Sequence, residues 1–92
     1  MPSEVEPAVL VTGATGFVGI NLLHALSYSG IRTIGIASNP LPQTALNSIA
    51  KIGPVPIVEL VDIRDSTAVS KLFLEYRPTV VIHAAAITSG VE

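Results

Sequence analysis

The sequence predicts an α/β fold of three layers, with helices on both faces of a four-stranded parallel sheet that forms part of a doubly wound sheet. Two observations predict it. Four short apolar runs, most of them rich in Val and Ile, alternate with three stretches of helical period, and such alternation favours parallel strands joined by right-handed crossovers. The runs are also nearly continuous in hydrophobicity, only the third alternating in part, as strands covered on both faces require.

The first run, Ala8 to Thr12, leads into glycines at positions 13, 16 and 19. A helix from Gly16 to Ser29 puts Val18, Leu22, Leu23 and Leu26 on one side, and Gly30 can take the left-handed conformation that ends it. The second strand, Ile31 to Ala37, gives way to the breakers Asn39-Pro40-Leu41-Pro42. A weaker helix then places Leu46, Ile49 and Ala50 on one face before Gly53-Pro54 stops it. The third strand, Val55 to Val61, carries Pro56, which an edge strand tolerates, and the strand order 3-2-1-4 puts this strand at the edge. Asp65 or Ser66 caps the third helix, whose Val69, Leu72, Phe73 and Tyr76 recur at i, i+3, i+4 and i+7 until Pro78 prevents continuation. Thr79 to Ala84 is the fourth strand. Residues 1–7 read as a flexible acidic tail and residues 8–92 as one domain.

Composition narrows the function. A chain of 92 residues makes one small domain, burying somewhat more than about 60% of its unfolded surface. It has no cysteine, which excludes disulfides and thiolate metal sites and suits a reducing cytoplasm; no residue is assigned to a metal. Net charge is -2, and the five basic residues are scattered, so no patch is available for a nucleic-acid backbone. No apolar run approaches the roughly 18 residues of a membrane span. Hydrophobic residues make up 49% of the chain and charged residues 13%, against an average charged content of about 25%. That surplus is expected of the N-terminal part of a truncated domain, whose remaining strands would cover the open, apolar edge of the fourth strand. A covering partner or self-association at that edge is the other expectation.

Strand, glycine spacing and helix together give the glycines a chemical reading. Gly13 permits a tight turn off the strand, Gly16 lets backbone approach a diphosphate without a Cβ in the way, and Gly19 lets the helix pack close against the sheet. The free N–H groups near Gly16, Phe17 and Val18, at the positive end of the helix, then face an anion. The loop ends in Gly-Phe-Val-Gly, whereas nucleotide hydrolases need Gly-Lys-Ser or Gly-Lys-Thr.

The segments "TGATGFVG", "VDIRD" and "VIHAAA" resemble the extended short-chain dehydrogenase/reductase superfamily, specifically its NAD-dependent epimerase/dehydratase branch, over Ala8 to Ser89. The resemblance implies a Rossmann-type domain binding NAD or NADP. It implies cofactor contacts from Gly13, Thr15, Gly16 and Gly19, with Phe17 and Val18 offering backbone amides to the pyrophosphate. The Asp62 carboxylate would accept from the adenine amino group, with Ile63 near the ring; without the resemblance Asp62 reads as a solvated strand-end acid. Ala84, Ala85 and Ala86 are small where bulk would block ribose or pyrophosphate, their other reading being core filler. His83 would be a buried, hydrogen-bonded support for the strand end rather than a proton-transfer group.

Two departures qualify the resemblance. An acid at the end of the second strand would bond the ribose 2'-OH, but Ala37 stands there, followed by Ser38 and Asn39. Loss of that carboxylate tilts the choice slightly toward NADP, while hydrogen bonds from Ser38 or Asn39 serve either cofactor. The superfamily's catalytic Tyr-x-x-x-Lys pair is also absent, since Tyr28 is followed four residues later by Arg32 and Tyr76 by Val80. Both tyrosines read as helix-surface or core aromatics, and no residue is assigned to catalysis. The expectation is the NAD(P)-binding portion of an oxidoreductase or nucleotide-sugar epimerase/dehydratase. The alternative is a non-catalytic dinucleotide-binding module acting through a partner, and a third reading is a flavin- or methyl-donor-binding half-domain.

Overall fold

The structure, a computed structural model, describes residues 7–84. Seven elements follow one another: β1 (Ala8–Thr12), α1 (Phe17–Tyr28), β2 (Arg32–Ala37), α2 (Gln43–Ala50), β3 (Ile57–Leu60), α3 (Ser66–Tyr76) and β4 (Val80–His83). The strands are parallel in the order β3-β2-β1-β4, the doubly wound arrangement of Rossmann type. Thr12 lies opposite both Ile36 and His83, and Ala37 lies opposite Leu60, so the carboxyl ends of the four strands come level at one edge of the sheet.

Side chains alternate across the pleat and split the core in two. Val9 and Val11 pack with Leu23 and Ile49 beneath α1 and α2, whereas Leu10 and Ile36 meet Leu72 of α3 on the opposite face. Leu10, Leu23, Ile34, Ile36 and Ile49 are fully buried, each such side chain contributing about 1.5–3 kcal/mol. β1 is buried throughout because it has neighbours on both sides, while β3 and β4, at the edges, are half-exposed. Among the described residues no helix is long and apolar enough to cross a membrane. Of the expected tail, only Pro7 is described, and it is exposed.

The most buried line of α1 is Gly19, Leu23 and Ser27. Of the expected stripe Leu23 belongs to this line, and Val18, Leu22 and Leu26, half-buried, pack against the same core beside it. The small residues face inward because they let the helix approach backbone. The Ser27 hydroxyl donates to the Pro54 carbonyl at 2.6 Å, tying α1 to the link between α2 and β3. The helix closes as its glycine predicts, with Ile31 N–H donating to Leu26 O at 2.9 Å, Gly30 N–H to Ser27 O at 2.8 Å, and Gly30 left-handed.

In α2 the packed residues are Ile49, Ala45 and Leu46, and Ala50 is exposed instead. Ala45 and Ile49 stand one turn apart and share a face, whereas Ala50 is rotated off it. β3 begins only at Ile57, leaving Pro56 just outside the strand and buried, where a missing N–H removes no ladder bond. Asp65, rather than Ser66, caps α3, its Oδ1 accepting from Ala68 N–H at 3.1 Å. Leu72 is buried and Phe73 exposed.

Two features of α3 carry predictions. Its C-cap is Arg77 at φ 48, a left-handed conformation that costs a side chain bearing a Cβ roughly 1–2 kcal/mol. Arg77→Gly removes that cost against a smaller entropic loss, so urea unfolding should show a gain of about 0.5–1 kcal/mol. The Tyr76 hydroxyl donates to Glu59 Oε2 at 2.6 Å, and the Arg32 guanidinium lies 5.8 Å from the ring centroid. The hydrogen bond to the Glu59 carboxylate, helped by burial, pushes the phenol up to about 12. Because that folded value lies above the ordinary one of 10.0, the linked stabilisation is complete below about pH 10 and fades as pH rises through about 12. Tyrosinate absorbance should therefore show a late phase near pH 12 that Tyr76→Phe removes.

Candidate functional site

The level strand ends carry the site. From Thr12 the chain turns at Gly13, whose φ of 65 belongs to the left-handed region. Gly16 N–H closes the turn onto Gly13 O at 3.2 Å, and Ala14 N–H donates to Ile36 O at 3.1 Å, anchoring the turn to β2. Gly16 is the N-cap of α1, with extended backbone and no side-chain capping bond. The N–H groups of Phe17, Val18 and Gly19 are therefore without intrahelical acceptors and without a capping side chain. Gly16 is exposed, and a Cβ built there would meet only Gly13 O, at 3.5 Å.

Gly19 answers to a different constraint. A Cβ there would overlap Gly13 O and lie 2.7 Å from both the Cα and the carbonyl carbon of Ala14. The close approach is thus to the turn after β1, rather than to the sheet itself as the spacing suggests. Thr15 is half-buried on the loop, and the Phe17 ring is 81% exposed.

Beside the loop, a cleft of about 110 Å³ is lined by Gly13, Ile36, Ala37, Ser38, Val61, Asp62 and Ile63, so the carboxyl ends of β1, β2 and β3 all contribute a wall. Ligand pockets usually start at roughly 300 Å³; this cleft suits one portion of a ligand. Asn39 is exposed next to Ser38 and does not line it. Asp62 is the one charged residue of the lining. Its Oδ1 accepts from Arg64 N–H at 2.9 Å and from Arg64 Nε at 3.1 Å, and its Oδ2 accepts from an Arg64 terminal nitrogen at 2.9 Å. The Arg64 guanidinium, and then its backbone N–H, hold the Asp62 carboxyl down at about 2. Asp62 is therefore anionic throughout the neutral range and acts only as an acceptor.

At the other side of β1, the Thr12 hydroxyl lies 3.2 Å from His83 Nδ1. The bond fits a strand-end support, but His83 is exposed rather than buried, since β4 is an edge strand. Ala84 is 1% exposed and belongs to the core cluster with Val9, Val11 and Ala14, away from the cleft. Ala85 and Ala86 lie outside the described residues. Larger hollows lie elsewhere. One of about 300 Å³ between α2 and β3 has only apolar residues in its lining, and one of about 420 Å³ sits by Arg32 and Thr33 at the amino ends of the strands; neither meets the glycine loop.

Sequence reasoning missed the platform under the loop. Gly35 of β2 sits beneath Ala14, where a Cβ would come within 2.6 Å of the Ala14 Cβ. A glycine inside an apolar strand is the signal that reveals such an approach. It also missed the Asp62–Arg64 fork, whose signal was the Asp-x-Arg spacing.

The model of the NAD dependent epimerase/dehydratase family matches residues 9–92. A dTDP-L-rhamnose 4-epimerase of Burkholderia thailandensis is 32% identical over 82 residues, covering 87% of this chain and 22% of that protein. A UDP-glucose-4-epimerase of Stenotrophomonas maltophila, solved with bound NAD and formylated UDP-arabinopyranose, superposes with a TM-score of 0.72 at 26% identity, covering 85% of this chain and 24% of that one. The Bordetella bronchiseptica enzyme WbmG, solved with NAD, shares the fold at a TM-score of 0.68 and 23% identity, covering 90% of this chain and 26% of its own. The chain thus spans about a quarter of the length of these relatives.

Proposed function

The chain belongs to the NAD dependent epimerase/dehydratase family, and we propose that residues 8–92 are the amino-terminal, dinucleotide-binding part of a cytoplasmic NAD(P)-dependent epimerase, dehydratase or oxidoreductase. The observation that carries this is the uncapped start of α1: three N–H groups without acceptors, at the positive end of a helix, behind a glycine that leaves the approach open. A diphosphate supplies the acceptors those groups lack.

Around that anchor the remaining assignments follow. Asp62 accepts from the adenine amine, and Ile63, half-exposed on the cleft wall, offers the base an apolar surface. Ser38 stands where the adenosine ribose would pass, with Asn39 beside it. Ala37 brings no carboxylate to the end of β2, the one carboxylate of the lining being Asp62 beyond β3, so NADP as well as NAD is open to this site. Thr15, half-buried on the glycine loop, borders the pyrophosphate side. When bound, the nicotinamide exchanges hydride with substrate; this part of the chain contributes binding and orientation. The outer edge of β4, with Val80 exposed, receives a further strand, a partner or a second copy.

Calorimetric titration with NAD, NADP, a flavin nucleotide and a methyl-donor nucleoside tests the proposal. Binding of NAD or NADP alone is the expected result. Binding of only the flavin or the methyl donor would refute it.

A further inference from the structure

We propose that Arg64 is a positioning residue for base recognition: by holding the Asp62 carboxylate in one orientation, it makes the cleft select a base edge bearing an exocyclic amine over one bearing a carbonyl. The inference rests on the dinucleotide reading of the same cleft and names what chooses its base.

A carboxylate offers about four lone-pair sites. Arg64 occupies three of them, two on Oδ1 through its backbone N–H and Nε, and one on Oδ2 through a terminal nitrogen. One site, on Oδ2, is left for an incoming donor. The backbone supports this arrangement from the other side, because Asp65 N–H donates to the Asp62 carbonyl at 2.9 Å. The segment from Asp62 to Asp65 is thus a closed turn with the carboxylate folded over it, and the backbone cannot swing without breaking both bonds.

The pair is exposed, the Arg64 side chain at 87% and that of Asp62 at 51%, so it adds little to stability. Its consequence is directional. A free carboxylate rotates about its terminal torsion and turns either oxygen away from a poor partner; a forked one presents the same lone pair to every ligand. An amine on a purine donates into that lone pair, whereas a carbonyl at the same position sets oxygen against oxygen.

The test compares NAD with its hypoxanthine analogue, in which a carbonyl replaces the exocyclic amine of the purine and the adjacent ring nitrogen carries a proton. Dissociation constants are measured for the chain and for its Arg64→Met, Arg64→Lys and Asp62→Asn variants, with circular dichroism confirming each fold. The wild type should favour NAD by about tenfold or more, short of the factors reached by buried polar sites. Arg64→Met should bring the ratio to within about threefold of unity while the hypoxanthine dinucleotide binds as before, since the pyrophosphate amides are untouched. Arg64→Lys keeps the charge but not the fork and should behave like Arg64→Met; Asp62→Asn should erase the preference too. A full ratio retained in either Arg64 variant overturns the role of the fork. A wild-type chain that binds both dinucleotides equally overturns base selection but leaves the dinucleotide reading standing, and one that binds neither overturns both.

Discussion

Gly16→Asp should make the chain more stable and, at the same time, cost it most of its affinity for a dinucleotide. The backbone at Gly16 is extended, at φ -78 and ψ 176, which any residue adopts at an N-cap, and the space where a Cβ would go is open. An Asp there can accept one of the orphan N–H groups of α1 and place negative charge at the positive end of the helix. Together these effects are worth about 0.5–1 kcal/mol. The same carboxylate occupies the acceptor-poor terminus that a diphosphate would use and repels it. Two unit charges about 4 Å apart interact by about 1 kcal/mol in water and about 4 kcal/mol at a protein surface. The loss of affinity should therefore be on the order of a hundredfold. Urea unfolding and calorimetry on the same preparation read both signs. A more stable variant that binds NAD or NADP as tightly as before would place the diphosphate somewhere other than this helix end.

Gly19→Ala has the opposite character. Within a helix, glycine to alanine ordinarily gains up to about 1 kcal/mol from propensity. Here the added methyl would overlap Gly13 O and crowd the Ala14 backbone at 2.7 Å. Those atoms have little freedom to retreat. Gly13 O accepts from Gly16 N–H, and Ala14 N–H is bonded to Ile36 O of β2, so the turn moves only by giving up hydrogen bonds or by pushing α1 off the sheet. Overpacking costs about 1–3 kcal/mol, the upper end when the obstacle is backbone, and a net loss of about 2 kcal/mol is expected after the propensity gain. That is a large share of the roughly 5–15 kcal/mol available to a domain, and a short chain sits toward the low end. The variant should melt well below the wild type, and Gly16→Ala, with its nearest obstacle at 3.5 Å, should stay close to it. Equal melting of the Gly19 variant and the wild type would contradict the packing of the turn against α1.

The two glycines are three residues apart and look alike in the sequence. Their separation into an open position and a closed one illustrates how far local reading reaches. The turn at Gly13, the stop at Gly30 and the cap at Asp65 were legible because each depends on neighbours a few residues away. The apolar stripe of α1 packs against the core as its spacing predicts, but hydrophobicity gives no sign that Gly19 and Ser27 lie deepest, buried for their smallness against backbone. Ala50 was placed on the packed face of α2 by periodicity, but the contact with α1 selects Ala45 and Leu46 beside Ile49. For the candidate site, Gly13, Ser38, Asp62 and Ile63 could be named from the sequence and do share the cleft lining, while Ala84 turns into the core and Asn39 stays off the wall.

By itself the sequence determined the order of elements, the parallel sheet 3-2-1-4 and the glycine turn opening a helix, because alternation, spacing and caps are written within a few residues of one another. Only the tertiary structure decided what those parts meet: Ala14 seated over Gly35 of β2, Asp62 forked by Arg64 on a cleft shared by three strand ends, Thr12 bonded to a His83 that lies 71 positions away. Such contacts depend on strand register and helix approach, and those are set by the packing of the whole sheet rather than by any short stretch of chain.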